Sequence, residues 1–124
     1  MYQSAREAVA DCQKLWKWLA ETGSPYKSDC PDPVVKGFFA SCPLCEWLEI
    51  ERSRKGPGLD CMDCCPLSLA LGVTCVETVF GDWDKEEGLD RHHTKRRKLL
   101  ARQFLDSINQ VAKIYELPPV EASN

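Results

Sequence analysis

Apolar residues recur at helical spacing along the first 23 positions. Ala5, Ala8, Val9, Cys12, Leu15, Trp16 and Leu19 share one stripe, while Lys14 and Lys17 fall off it. Ser4 and Glu7 have the S-x-x-E spacing of a capping box, in which each side chain answers an open backbone N–H. Gly23, followed by Ser24-Pro25, supplies the stop. The pattern predicts an amphipathic helix over residues 1–23. Cys12 lies inside the stripe and reads as a small buried hydrophobe. Trp18 lies off the stripe and is read as packing on the segment that follows.

A second stripe runs through residues 84–116. Leu100, Phe104, Ile108, Val111, Ala112 and Tyr115 share a face and Ala101 flanks it. Gly88 weakens the first turns, so the firm helix is expected to start near Asp90 as N-cap. His93 would extend the apolar face, and Arg97 follows one turn later. Pro118-Pro119 ends the element, and the tail 117–124 is expected to fray from Val120 to Asn124.

Between these stripes, residues 24–83 are punctuated by proline and glycine, from Pro25 through Pro31, Pro33, Gly37 and Pro43 to Gly72 and Gly81. Long regular elements cannot run through such spacing. Leu48 and Ile50 alternate with Glu49 and Glu51, the signature of a short half-buried strand. Arg52 to Gly58 reads as a polar loop tip. Pro66 to Leu71 suits one or two helical turns ending at Gly72. Val73 to Phe80 is β-branched and reads as a second short strand. The expected architecture is one mainly α-helical domain over 1–124. Its N- and C-terminal helices pack together and hold a central zinc-knuckle and short β-hairpin segment.

Composition sharpens this picture. The 124 residues are 44% hydrophobic and 28% charged, with a formal charge of −3. That balance excludes a disordered chain, a collagen-like repeat and a supercharged tail. No window of about 18 apolar residues exists, so no transmembrane helix or membrane partner is expected. Charges interrupt every stretch near the N-terminus that could act as a secretory signal, which places the chain in a reducing cytoplasm.

The eight cysteines are the chemistry. Six of them, Cys42, Cys45, Cys61, Cys64, Cys65 and Cys75, crowd between positions 42 and 75. In a reducing compartment, thiols clustered at ligand spacing point to metal rather than to disulfides. Cys42-Pro43-Leu44-Cys45 and Cys61-Met62-Asp63-Cys64 are two C-x2-C pairs with fifteen residues between them. Each pair converges two thiolates from one tight turn, and two turns complete a tetrahedron around Zn²⁺. Cys65 and Cys75 compete for the second pair of places, so the ligands are four of these six, with Cys42 and Cys45 foremost. Four thiolates leave no open position, which makes such a zinc structural. An iron–sulfur cluster uses the same ligands. Cys30 reads as a spare thiol. His92-His93 reads as solvated helix surface, or as a hydrogen-bond partner of the cysteine module.

Arg91, Lys95, Arg96, Arg97, Lys98 and Arg102 put six positive charges into twelve residues, just after a run of acids from Asp82 to Asp90. Acids ahead of a helix complement its dipole. The basic run suits a contact with a protein partner or, by counterion release, with nucleic acid. The acidic whole chain and the lack of interleaved aromatics count against nucleic acid. No phosphate loop, G-x-S-x-G elbow or H-E-x-x-H helix is present. The H-x-E of a zinc deaminase is missing too. A thiol redox role for Cys61 and Cys64 lacks the βαβ context it usually has. The chain is therefore read as a non-enzyme.

These residues carry a resemblance. Cys42-Pro43-Leu44-Cys45, the cluster from Cys61 to Pro66, Cys75-Val76-Glu77-Thr78 with Trp83 beyond, and Phe104-Leu105-Asp106-Ser107-Ile108 resemble a group of small bacteriophage-encoded cysteine-rich proteins. Those carry C-x-L-C, then C-x2-C-P, then C-x2-T-P-[YF]-x2-W. The likeness covers roughly residues 42–108. It departs at the extra residue in Cys61-Met62-Asp63-Cys64-Cys65-Pro66, and at Val79, where proline is usual. The resemblance implies a zinc-binding accessory protein acting in the cytosol of an infected bacterium, where it binds and modulates a host or phage macromolecule. It brings no reaction with it. The candidate contact surfaces are Arg91–Arg102 and the loop 52–59.

Overall fold

The computed structural model describes residues 3–31, 43–56, 58–60, 62 and 65–123. Five α-helices lie among them: α1 (Ala5–Thr22), α2 (Pro43–Lys55), α3 (Pro66–Leu71), α4 (Val79–Asp84) and α5 (Arg91–Ile114). Single 3-10 turns occur at Lys27–Asp29 and Cys75–Glu77. No strand occurs among the described residues.

Helix α1 forms where its stripe and caps agree. The Ser4 hydroxyl accepts from the Glu7 N–H at 3.3 Å, and the Glu7 carboxylate answers the N–H of Gln3, one residue earlier than a strict capping box would have it. At the other end Gly23 adopts φ 71°, and its N–H closes on the Leu19 carbonyl. Ala8, Val9, Cys12, Leu15, Trp16, Leu19 and Ala20 are all fully buried. Helix α5 starts at Asp90, whose side chain accepts from the His93 N–H, and buries Leu100, Ala101, Phe104, Leu105, Ile108, Val111 and Ala112.

The two helices pack against each other antiparallel, each supplying the apolar wall the other lacks. Three polar contacts mark their alignment. Arg6 Nε at the start of α1 donates to the Tyr115 carbonyl at the end of α5 (3.0 Å). Gln13 Nε2 donates to Asn109 Oδ1 in the middle (2.9 Å). Arg97 Nε donates to the Gly23 carbonyl at the far end (2.7 Å).

The short helices close the sides. Trp16 meets Phe104 at 4.5 Å, Trp83 at 5.0 Å and Phe80 at 5.8 Å between ring centroids, all edge-on. Such pairs add about 0.5–1.5 kcal/mol each beyond the area they bury. The cluster pins α4 to the α1–α5 pair. Trp18 is half-buried against the same core.

Both strands expected from the sequence are helical instead. Leu48 and Ile50 belong to α2, where Leu44, Trp47, Leu48 and Glu51 fall at i, i+3, i+4 and i+7 and are buried. Helical spacing over thirteen residues overrides an alternation that spans only four. In Val73–Phe80 the Thr74–Glu77 capping box starts a 3-10 turn, and the Thr78 hydroxyl accepts from the Phe80 N–H to start α4. Local side-chain caps outweigh β-branching here. Pro66–Leu71 is helical and ends at Gly72, as its composition predicts.

The tail is also tied down where fraying was expected. Val120 exchanges two hydrogen bonds with Asn109, and Arg102 donates to the carbonyls of Ala122 and Ser123. The Ser123 N–H reaches Glu21 of α1 at 2.8 Å.

Candidate functional site

Three of the six sulfurs proposed as ligands, Cys42, Cys61 and Cys64, lie outside the described residues. The other three sit on separate elements. Cys45 is in the first turn of α2, half-buried. Cys65 is the residue before α3; it is buried, in extended conformation, and Pro66 after it starts the helix. Cys75 opens the second 3-10 turn and is half-buried.

Those positions face a common neighbour. Burial pushes the Cys12 thiol well above the usual thiol range, and the nearby Cys65, Cys45 and Cys75 raise it further, while Lys27 pulls the other way. Thiols from α2, the start of α3 and the Cys75–Glu77 turn thus lie within electrostatic reach of one point on α1. Cys65 also reaches the end of α5, where burial first, and Cys65 after it, push the Tyr115 hydroxyl up. Thiolates gathered in this way repel one another, and a divalent cation relieves that repulsion.

The donor set is of the soft type that zinc or an iron–sulfur cluster takes. Among the described residues no three His, Cys, Asp or Glu side chains close into a metal cage by themselves. Cys45, Cys65 and Cys75 therefore do not form such a group among themselves, and Cys42, Cys61 and Cys64 lie outside the described residues. Cys30 packs in the hydrophobic core and is 3% exposed. Among the described residues no disulfide joins any two of Cys12, Cys30, Cys45, Cys65 and Cys75.

Sequence reasoning treated Cys12 as core alone, and it is core. What was missed is that Cys12 lies within electrostatic reach of Cys45, Cys65 and Cys75, which tertiary packing brings about. Lys27 was missed as well. Its ammonium lies 4.2 Å from the Phe80 ring centroid, 5.6 Å from Trp83 and 5.8 Å from Trp16.

His93 Nδ1 bonds the Asp90 carboxylate at 2.8 Å and its Nε2 lies 4.0 Å from Glu86, while His92 is exposed. The bonds from His93 also hold the Asp90 carboxyl below the usual carboxylate range, the backbone N–H foremost.

The basic stretch divides into three parts. Arg97 is not a surface residue: it is 1% exposed and donates to the carbonyls of Gly23, Glu86 and Gly88 and to the Thr94 hydroxyl. Its place on the face that carries Leu100, Ala101 and Phe104 turns it inward, and backbone carbonyls satisfy its charge. Arg96 is ion-paired with Glu86 at 2.6 Å, and Arg102 is engaged by the tail. Arg91 and Lys95 are exposed and Lys98 half-buried, with the exposed Leu89 and Leu99 nearby in the chain. Of the loop 52–59, residues 52–55 are the last turn of α2, with Arg52 bonded to Glu49 and to the Leu59 carbonyl.

A cleft of about 590 Å³ lies between α5 and the tail, walled by Arg102, Asp106, Asn109, Lys113 and Val120. It holds no cysteine or histidine. Among the described residues no helix is long and apolar enough to cross a membrane. No family model, curated protein or solved structure matches this chain.

Proposed function

We propose that this chain is a zinc-stabilised, non-enzymatic accessory protein of bacteriophage type that binds and modulates another macromolecule, a protein of the host or phage, in the bacterial cytosol. What supports the metal half is the two C-x2-C pairs of the sequence and that Cys45, Cys65 and Cys75, from three separate elements, all act electrostatically on Cys12. Four thiolates drawn from Cys42, Cys45, Cys61, Cys64, Cys65 and Cys75 would hold the ion. Bound there, zinc would have no open coordination position and would tie together the segments that carry its ligands.

Support for a protein partner comes from the basic stretch. With Arg97 buried, Arg96 paired and Arg102 on the tail, Arg91, Lys95 and Lys98 remain, beside exposed leucines. A few cations next to apolar side chains suit a protein surface better than a phosphate backbone. Nucleic acid is the second reading, resting on those same three cations. A thiol redox role for Cys61 and Cys64, which lie outside the described residues, is the third reading.

Elemental analysis of the chelator-washed chain, with a thiol count, tests the metal half. About one zinc per chain supports it, and a metal-free chain with oxidised cysteines overturns it. Capture from nuclease-treated bacterial lysate tests the partner half, using the wild type beside an Arg91→Glu, Lys95→Glu variant. A protein retained by the first and lost by the second is expected. Binding that nuclease abolishes, and that weakens steeply with salt, shifts the conclusion to nucleic acid.

A further inference from the structure

The segment after α5 is held by side chains rather than by its own backbone. From Pro118 to Ser123 it has no regular structure, and among the described residues its hydrogen bonds go to α1 and α5. Gln13 Nε2 donates to the Pro118 carbonyl at 3.0 Å. Asn109 holds Val120 twice: Nδ2 donates to its carbonyl at 2.9 Å, and Oδ1 accepts from its N–H at 3.0 Å. Arg102 donates to the carbonyls of Ala122 (3.4 Å) and Ser123 (2.7 Å), and Glu21 accepts from the Ser123 N–H at 2.8 Å. From Pro118 to Ala122 every one of these bonds is to a main-chain group. Only at Ser123 does a side chain join in, its hydroxyl bonding Glu21.

The groups that read this backbone are fixed from behind. Gln13 is 3% exposed, and its Nε2 also bonds Asn109 Oδ1 at 2.9 Å, which orients the Asn109 amide. An amide set in this way pairs with the N–H and C=O of one residue in any extended chain. Proline suits the two positions before it, because Pro118 and Pro119 bring no N–H to be satisfied and keep the backbone extended. Leu117, Val120 and Ala122 are half-buried, while Pro118, Pro119 and Glu121 face outward, exposed. Beside Asn109, Arg102 and Val120 lies the cleft of about 590 Å³, room that the segment does not fill.

We infer that α1 and α5 form a peptide-binding groove, filled in cis by residues 117–123 and open to an extended, proline-bearing segment of a partner protein that displaces them. The main-chain bonds are the same whichever chain supplies the backbone. What favours the chain's own segment is its tether, which holds it at an effective concentration of about millimolar. Weakening its hold therefore strengthens binding in trans. The groove uses none of the cations Arg91, Lys95 and Lys98, and it needs no metal.

The test is fluorescence anisotropy with the fluorescein-labelled peptide Leu-Pro-Pro-Val-Glu-Ala-Ser, added to the full-length wild type and to a Val120→Pro, Ser123→Pro double variant. The two prolines remove the N–H groups that bond Asn109 and Glu21, and leave the groove's own side chains intact. Each hydrogen bond lost is worth about 2–10-fold, so the variant should bind the peptide about 5–100-fold more tightly than the wild type. The same peptide made with N-methylvaline cannot donate to Asn109 and should bind the variant about tenfold more weakly. A peptide that binds neither protein, or both equally, overturns the inference, and so does equal binding of the two peptides. A variant that doubles in mass by light scattering and takes up no peptide assigns the groove to a second copy of the chain and overturns it too. Should the variant lose its helicity by circular dichroism, Pro118→Gly with Pro119→Gly decides in its place. That change breaks no bond to the groove and only loosens the tether, so binding about 5–20-fold tighter than the wild type supports the groove, and unchanged binding overturns it.

Discussion

Arg97, near the start of α5, donates its Nε–H to the backbone carbonyl of Gly23, the residue that ends α1, at 2.7 Å. The same guanidinium reaches the carbonyls of Glu86 and Gly88 and the Thr94 hydroxyl, so one buried cation stitches three segments together. Each of those carbonyls sits where a helix or loop has run out of backbone partners. Truncating the side chain to a methyl group strands them away from water, at about 1–3 kcal/mol for each group that water cannot reach. Arg97→Ala should therefore lose about 3 kcal/mol or more in a urea titration. Lysine cannot reproduce the fork, so Arg97→Lys should recover only part of the loss. A loss under about 1 kcal/mol for Arg97→Ala would show that water replaces the guanidinium.

Gly23 is required at that junction for two separate reasons. Its φ of 71° lies in the left-handed region, and a Cβ added there would stand 2.7 Å from Thr94 Cγ2 and 2.9 Å from the Thr94 carbonyl oxygen. Gly72 is the natural control, with φ 75° and open space around the position. Gly72→Ala should cost only the left-handed backbone penalty, about 1–2 kcal/mol. Gly23→Ala should cost clearly more, because α1 and α5 must also move apart. Adding Thr94→Ser removes the methyl clash but leaves the carbonyl, so the rescue should be partial. Equal costs at the two glycines would rule out the packing argument.

Both long helices were legible because two independent signals agreed at each. The apolar stripes set the faces, while Ser4, Gly23 and Asp90 set the ends. The inward position of Arg97 was legible in the same period and was overlooked because a run of six cations invites a surface reading. At Leu48 and Ile50 the alternation was too short to outweigh Leu44, Trp47 and Glu51 at helical spacing. The Thr74–Glu77 box is a local cap signal that the reading of Val73–Phe80 by β-branching did not use. The rest was beyond any local pattern. No periodicity shows that the Ser123 N–H meets Glu21, or that Cys45, Cys65 and Cys75 act electrostatically on Cys12. Those neighbourhoods arise only when α1 and α5 align.

The tail contact should respond to acid. The N–H of Ser123 and the Lys17 ammonium hold the Glu21 carboxyl below the usual carboxylate range. An unfolded glutamate titrates at about 4.3. The contribution of Glu21 is thus complete above that value and is lost as pH falls through its lower folded pKa. Below that point the last residues should release, while Asn109 still holds Val120. Protection of the Ser123 amide, measured against free-chain exchange at the same pH, should fall in that acid window, and Glu21→Gln should show much of that loss already at about pH 7. Global stability should change by less than about 1 kcal/mol, as for other exposed ionic contacts. Amide exchange at Ser123 that is the same in Glu21→Gln and the wild type at neutral pH would mean that Arg102 alone secures the end.

Cys12 and Cys45 give the sharpest division between core and ligand. Cys12 is fully buried on α1, and its thiol is held protonated chiefly by that burial. An alkylating reagent should therefore leave it untouched in the folded chain and modify it on denaturation. Cys12→Ala removes one buried sulfur and should cost about 1–2 kcal/mol, with zinc still bound at the wild-type stoichiometry. Cys12→Ser should cost more, since a hydroxyl there is buried among apolar side chains and needs a partner. Cys45→Ala, at the start of α2, deletes an expected ligand, so zinc content should fall and α2 should loosen with it. Metal content by elemental analysis, read beside urea stability for the same three variants, separates the roles. Zinc lost from Cys12→Ala but kept in Cys45→Ala would move the metal onto α1 and redraw the ligand set.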